Sequence, residues 1–310
     1  MVILLFILGL VLVIKGGGWF VDAASWIAEA TGIPKMIVGA TIVSLATTAP
    51  EQLVSIIAVM EGSNDLGIGN AVGSVSCNLG LGLAIVIIFA PMVVHRKEFL
   101  EKGILMLIGA CSLWIMVRDA KLMPAEAIIL LAVLAVFIAV NVKSIHIQTK
   151  SSKKREPIRK KVLAINTVKF VLGATCIVLG ARLMVDNGTI IAQMLGVPEA
   201  IIGLTLVAVG TSLPEIVTAI ASILKKESAM SVGNIIGANI IDLTMILPVC
   251  SFLSDNGLAV NQNTISIDIP VSILLIVITV LPTVLAGKFS RWQGVTIFGI
   301  YTGYIITMVM

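Results

Sequence analysis

Two stretches of this chain place oxygen-rich side chains where an apolar span is expected. Gly203–Glu215 reads GLTLVAVGTSLPE, followed by SVGNIIGANIID over Ser231–Asp242; Gly39–Glu51 reads GATIVSLATTAPE, followed by GIGNAVGSVSCN over Gly67–Asn78. An ionised carboxylate at mid-bilayer costs about 2.5–3.5 kcal/mol or more, so Glu51, Glu215 and Asp242 are candidate functional groups. Pro50 and Pro214 each stand one residue before a glutamate. Proline gives no backbone N–H and opens a helical turn. Freed carbonyls, hydroxyls and a carboxylate then gather at one break, and oxygen donors of that kind hold hard cations.

Helical spacing sorts these residues onto faces. Thr47 and Glu51 are i,i+4, with Ser44 near one turn back; Thr211 and Glu215 repeat the spacing, with Ser212 at i−3 from Glu215. Asn70, Ser74 and Asn78 form a polar stripe, and Asn234 and Asp242 form another that Ala238 interrupts. Gly69 and Gly73, like Gly233 and Gly237, are small-xxx-small pairs that allow close helix approach. The spacing predicts that the broken helices meet with Glu51 facing Glu215 across one cation. Two carboxylates held that close repel unless a cation or a proton compensates. Thr41, Thr205 and Asn239 read better as structural hydrogen-bonding groups than as ligands, whereas Asp242, opposite the neutral Asn78 in the repeat, is open between ligand and protonated partner.

A constant shift of 164 residues superimposes the two stretches without a gap, pairing Gly16 with Gly180, Gly32 with Gly196, Pro50 with Pro214 and Asn78 with Asp242. This is an internal duplication. The chain is 58% hydrophobic and 12% charged, with a mean hydropathy of +1.10, which marks a polytopic membrane protein. The net charge of +4 is small and localised, and argues against nucleic acid as a partner. The apolar run from Met1 shows no cleavage site and reads as a retained first span. Cys77, Cys111, Cys176 and Cys250 lack CxxC spacing and read as packing residues. His95 and His146 stand beside basic residues at expected loop positions, and no motif for hydrolysis or phosphate binding occurs.

Runs of about 20 apolar residues can each span a bilayer. They fall near 2–23, 34–60, 66–93, 103–117 and 123–143, then near 162–185, 198–224, 229–253, 265–286 and 292–309. The expected fold class is an all-α polytopic membrane protein with ten transmembrane helices in two five-helix repeats, 1–143 and 162–310. An odd number per repeat inverts the second copy, an architecture of secondary transporters with a midplane site. Residues 144–161, rich in lysine and arginine, read as a solvated basic linker. With that linker in the cytoplasm, only Arg118, Lys121 and Arg182 of the 21 lysines and arginines face the other side. The positive-inside rule then puts both termini outside a plasma membrane.

At these residues the sequence resembles the calcium:cation antiporter superfamily, most closely its prokaryotic sodium/calcium exchanger branch. The resemblance rests on GATIVSLATTAPE with GNAVGSVSCN and on GLTLVAVGTSLPE with GNIIGANIID, and the ten-span organisation extends it along the chain. It implies exchange of Ca²⁺ for Na⁺ by alternating access, with both ions as cargo, no cofactor, no enzymatic step and no obligate protein partner besides the lipid bilayer. It implies that Glu51 and Glu215, with the Thr47 and Thr211 carbonyls, hold calcium. The Ser44 and Ala208 carbonyls, with Thr48, Ser212 and Ser74, would help hold sodium, while Asn78 and Asp242 line the centre. It also implies that the first and sixth spans slide past a rigid core. Ala46 opposite Gly210, Thr48 for the usual serine and Ala238 opposite Ser74 depart from the pattern. The last removes a hydroxyl from the sodium site expected beside Glu215, nearer the outside. A Ca²⁺/H⁺ antiporter is the alternative within the class. A channel would need a continuous pore, and an intramembrane aspartyl enzyme would need GxGD-type motifs, which are absent.

Overall fold

The computed structural model describes residues 1–151, 160–196, 208–254 and 256–309. They form α1 (Val2–Thr31), the half-helices α2 (Lys35–Thr47) and α3 (Ala49–Met60), α4 (Asn64–Phe89), α5 (Arg96–Met116) and α6 (Pro124–Ser151). There follow α7 (Lys160–Met194), the short α8 (Ala208–Thr211), α9 (Leu213–Leu224), α10 (Ser228–Leu253), α11 (Thr264–Ala286) and α12 (Arg291–Val309). Among the described residues seven helices are long and apolar enough to cross a membrane, and the bent pair α2–α3 makes an eighth.

Boundaries repeat with the sequence. Ala49–Met60 and Leu213–Leu224 are both 12 residues, each starting 164 residues from its counterpart, and the α-helical starts of α4 and α10, Asn64–Cys77 and Ser228–Ile241, are both 14. Each then widens into a π-turn, Asn78–Leu83 and Asp242–Ile246. Such wide turns mark functional positions more often than chance. Gly62 and Lys226, another pair at that shift, both take the left-handed conformation, at φ 82° and 61°. Only the glycine does so without strain.

Burial separates an inner layer from an outer one. In α4 and α10, 72% and 83% of the apolar window is buried, against 22% in α1 and 11% in α7. At a rise of about 1.5 Å per residue, the 30-residue α1 and 35-residue α7 are about 45 and 52 Å long, well beyond a bilayer core of about 30 Å. They cross on glycine: a Cβ on Gly9 would stand 2.8 Å from the Gly180 carbonyl oxygen, and one on Gly173 would stand 2.9 Å from that of Gly16. The shift exchanges these two contacts.

Two short backbone pairings tie the helix ends. Lys121–Leu122 (β1) pairs antiparallel with Leu258–Ala259 (β2), and Val93 bridges Lys288. They lie at opposite ends of the 21-residue α5, about 31 Å apart along its axis.

One expectation needs correction. Residues 144–151 are not loop, because α6 continues to Ser151, and α7 begins at Lys160. Lysine and glutamine are good helix formers, and the first proline after Pro124 is Pro157, so nothing stops the helix sooner. Residues 152–159 lie outside the described residues. The first span likewise runs to Thr31, where Gly32 caps it at φ 60°.

Candidate functional site

The site is built on two helix breaks of one shape. Thr48 separates α2 from α3 at φ −79°, ψ −1°, and Ser212 precedes α9 at φ −85°, ψ 2°. α2 and α3 meet at 43°. Each proline sits in the first turn after its break, where its missing N–H costs least. Pro50 and Pro214 leave the carbonyls of Ala46 and Gly210, four residues back, without a helical donor. Glu51 and Glu215 follow in the same first turns, where the helix N-terminus favours a carboxylate.

Close packing then brings the breaks to the buried helices. A Cβ on Gly233 would lie 2.1 Å from the Met36 carbonyl oxygen, and one on Gly237 would lie 2.5 Å from that of Ala40 and 2.7 Å from Ser44 Oγ. Gly39 meets the Met230 carbonyl in the same way, at 2.2 Å. These glycines let α2 and α10 touch backbone to backbone. Among the described residues nothing lies against Gly69 or Gly73. The segment that the repeat sets opposite them, 200–208, falls almost wholly outside the described residues, as do Gly203 and Thr205.

Ser44, Thr47, Thr48, Glu51, Ser74, Asn78, Ser212, Glu215 and Asp242 are all buried, none more than 3% exposed. Thr211 belongs to α8, beside the second break, and Ala208 begins that helix. Thr47 Oγ1 donates to Asn234 Oδ1 at 3.2 Å and so joins the first break to α10. Asn78 Nδ2 donates to Asn239 Oδ1 at 3.1 Å, which joins the two π-turn helices. Asn70 Nδ2 donates to the Glu51 carbonyl and to Ser55 Oγ at 3.2 and 2.9 Å. The Ser44 carbonyl is crowded with donors: Thr48 N at 2.9 Å, Thr48 Oγ1 at 2.8 Å and Thr47 Oγ1 at 3.3 Å.

The carboxyl groups are the opposite case. Both oxygens of Glu51, Glu215 and Asp242 are buried without a hydrogen-bond partner, as are Ser74 Oγ, Asn78 Oδ1 and Ser212 Oγ. Glu51 and Asp242 each lie close enough to Glu215 to interact with its charge. Buried polar atoms are nearly always bonded, so this concentration of orphan oxygens is a donor set that a cation would satisfy. Among the described residues no three histidine, cysteine, aspartate or glutamate side chains converge as a metal cluster. The groups gathered here are carboxylate, hydroxyl, amide and carbonyl oxygens. That donor set suits a hard ion that must also leave.

Ala238, where the hydroxyl of Ser74 has no counterpart, is fully buried in α10. α10 lies along α2, where Gly237 meets Ala40 and Ser44 and Asn234 meets Thr47, and it also packs on α9, which carries Glu215. Ser74 lies on α4, which packs on α3 and on α8. Helical periodicity gives the polar face of a helix but not the partner it faces.

Asp268 escaped the sequence reading. It is 8% exposed near the start of α11, where Tyr304 and Thr264 donate to its two oxygens at 2.9 Å each. Its place three residues inside an apolar run was the available signal.

Long apolar helices around two broken ones, with unpaired carboxylates where the breaks meet, define a membrane transporter of the broken-helix class. The family model for the sodium/calcium exchanger protein matches residues 1–143 and 165–310. The chain therefore belongs to the sodium/calcium exchanger family, whose members are transporters and not enzymes. Solved structures of the sodium-calcium exchanger NCX_Mj cover 99% of both chains. One, soaked with 2.5 mM Na⁺ and 10 mM Sr²⁺, is similar with a TM-score of 0.84 and 29% identity. Another, soaked with 10 mM Na⁺ and zero Ca²⁺, has a TM-score of 0.85 and 28% identity. The sodium/calcium exchanger MaX1 of Methanosarcina acetivorans is 36% identical over 107 residues, 34% of this chain and 31% of that protein. The inner membrane protein YrbG of Escherichia coli is 35% identical over 127 residues, 41% of this chain and 39% of that protein. The matched stretches thus span about a third of these relatives' length.

Proposed function

We propose that this protein is a secondary active antiporter that exchanges Ca²⁺ for Na⁺ across the plasma membrane by alternating access. One observation carries the reading: each proline break delivers a fully buried glutamate whose oxygens have no partner, and the two glutamates come from two copies of one motif. A divalent ion supplies what both lack. Glu51 and Glu215 hold calcium with the Thr47 and Thr211 carbonyls. Sodium uses Thr48, Ser74 and Ser212 with the Ser44 and Ala208 carbonyls, while Asn78 and Asp242 complete the centre. Thr48 Oγ1 donates its proton to the Ser44 carbonyl, accepts from Gln52 Nε2 at 3.2 Å and keeps one lone pair for a cation. The Ser44 carbonyl, crowded by three donors, serves sodium only after the hydroxyls turn away.

Ten spans in two inverted repeats, 1–143 and 162–310, fit the helix boundaries and both pairings. The shift carries Val93 onto the β2 region and Lys288 onto the β1 region, so it exchanges two pairings at opposite ends of α5. An axis in the membrane plane does that; an axis along the membrane normal does not. The charge count places 144–161 in the cytoplasm and the termini outside. The proton-coupled alternative draws on the three unpaired carboxyl groups, which can carry protons as well as cations.

The deciding experiment uses purified protein in vesicles. An outward Na⁺ gradient is expected to drive ⁴⁵Ca²⁺ uptake with the proton gradient collapsed. Uptake that follows a proton gradient and ignores sodium would transfer the assignment to Ca²⁺/H⁺ exchange.

A further inference from the structure

The α9–α10 hairpin carries a polar row that the α3–α4 hairpin lacks. Glu215, Thr218 and Ser222 recur at i, i+3 and i+7 and share one face of α9. All three are fully buried, and Thr218 Oγ1 and Ser222 Oγ have no partner. Other buried helical threonines, Thr244 and Thr283, donate to the carbonyl four residues back, that of Ile240 and of Thr279, whereas Thr279 Oγ1 on α11 also has no partner. On α10, Ser231 Oγ and Asn234 Nδ2 are also buried and unpartnered.

The turn between the helices joins the two rows. Glu227 N donates to the Ser222 carbonyl at 2.7 Å and Ser231 N donates to the Glu227 carbonyl at 3.3 Å, so the two serines flank Glu227. The Glu227 carboxylate holds Lys35 Nζ at 2.5 Å, and Lys35 also reaches Glu29 at 3.3 Å. The row therefore runs from the central carboxylate of Glu215 to an ion pair at the Lys35 end of the molecule. The residues 164 positions earlier are Val54, Ala58 and Gly67, which offer no hydroxyl, and Ser63 stands opposite Glu227.

Unpaired buried hydroxyls are unfavourable wherever a valine or alanine packs as well, as the other hairpin demonstrates. A hard cation with part of its water shell provides the missing partners for hydroxyl oxygens and for the Asn234 amide. The geometry points to a cytoplasmic-side passage for the transported cation along Thr218, Ser222 and Ser231, closed in this conformation by the Lys35–Glu227 ion pair. With Lys35 displaced, the more deeply set Glu227, behind the exposed Glu29, is left without its cation partner and can receive one from that side. The assignment to the cytoplasm and to a transported cation rests on the exchanger reading; the passage itself does not.

The test uses the full chain in oriented vesicles. Ser222→Cys is treated from the cytoplasmic side with a positively charged, membrane-impermeant methanethiosulfonate, with the unsubstituted protein as background for its own four cysteines. Modification is expected, and Lys35→Met should make it several-fold faster by removing the closing pair. This readout needs no knowledge of which ions are exchanged, so it separates failure of the passage from failure of the exchanger assignment. Independently, Thr218→Val with Ser222→Ala is expected to raise the apparent KM for the cytoplasmic cation several-fold, leave the external KM unchanged and leave Tm no lower. The proposal is overturned if Ser222→Cys stays unreactive under every gradient, or if the double variant alters both sides equally or neither.

Discussion

The two hairpins, α3–α4 and α9–α10, have nearly the same backbone and different polar linings. Their first helices are equal in length, their breaks agree within a few degrees, and the second helix of each carries a π-turn. In the first hairpin Asn70 is held by Ser55 and by the Glu51 carbonyl. In the second, Ala219 replaces that serine and Asn234 Nδ2 is left unpaired. Thr218, Ser222 and Ser231 then add hydroxyls that the first hairpin lacks. The helix breaks set the frame because a proline and a glycine contact fix backbone geometry directly. The lining is free to differ because a side-chain oxygen changes little of that geometry. The first hairpin is braced; the second is left with oxygen and amide groups to offer.

The comparison is tested most severely at what the hairpins share. Glu51→Gln and Glu215→Gln are each expected to abolish calcium transport in folded protein. A charged contact is worth about 1.5–3 kcal/mol, so calcium affinity should fall about tenfold to a hundredfold. Each variant also removes a buried unpaired charge, so its Tm without calcium should not fall. Near-normal flux in either one would remove that glutamate from the site.

Gly237→Ala comes next. Its Cβ would press on the Ala40 carbonyl and on Ser44 Oγ, and overpacking of this kind costs about 1–3 kcal/mol. Thermal unfolding in detergent should register that loss together with slower transport. Gly299, with nothing within 4 Å of an added Cβ, is the control site and Gly299→Ala should leave both unchanged.

Ala238→Ser restores the hydroxyl that Ser74 supplies at the matching position of the other hairpin. One neutral oxygen in a cation shell is worth about 1 kcal/mol, on the scale of one hydrogen bond, so apparent sodium affinity should rise about fivefold. With the depleted sodium site nearer the outside, the gain is expected for external sodium, whereas Ser74→Ala should weaken sodium from the cytoplasmic side. Side-specific sodium titration separates them, and an unchanged external sodium dependence in Ala238→Ser would remove position 238 from the site.

Acid should act through the shared pair. A proton on Glu51 or Glu215 cancels charge that calcium needs, so apparent calcium affinity should fall from pH 8 to pH 6, with protons as competitors. ⁴⁵Ca²⁺ binding that does not change across that range would exclude proton competition. The smallest effect is expected from Ala219→Ser, which gives Asn234 the partner that Asn70 has. It should stabilise the protein by about 0.5–1.5 kcal/mol, seen as a modest rise in Tm. A fall would mean that the second hairpin has no room for the brace of the first.

Much of this was readable without a structure. The constant shift, the prolines before Glu51 and Glu215 and the apolar runs announced paired broken helices in a membrane, because each signal is local in the chain. Helix ends were less legible. α6 continues through residues expected as linker, because polar residues without glycine or proline do not end a helix. Asp268 and the Thr218–Ser222 row were missed for another reason. A lone serine, threonine or aspartate inside an apolar run usually bonds its own backbone or a neighbour, and sequence does not reveal which.

The sequence by itself determined the class, the repeat, the two breaks and the identity of the central carboxylates, since composition, proline and spacing act along the chain. Only the tertiary structure decided which helix faces which. It put α10 on α2, filled the Ser44 carbonyl with donors and left the oxygens of Glu51, Glu215 and Asp242 without partners. Contacts between residues nearly 200 positions apart, such as Thr47 with Asn234, depend on how two glycine-faced helices come together in space, and helical periodicity carries no information on that choice.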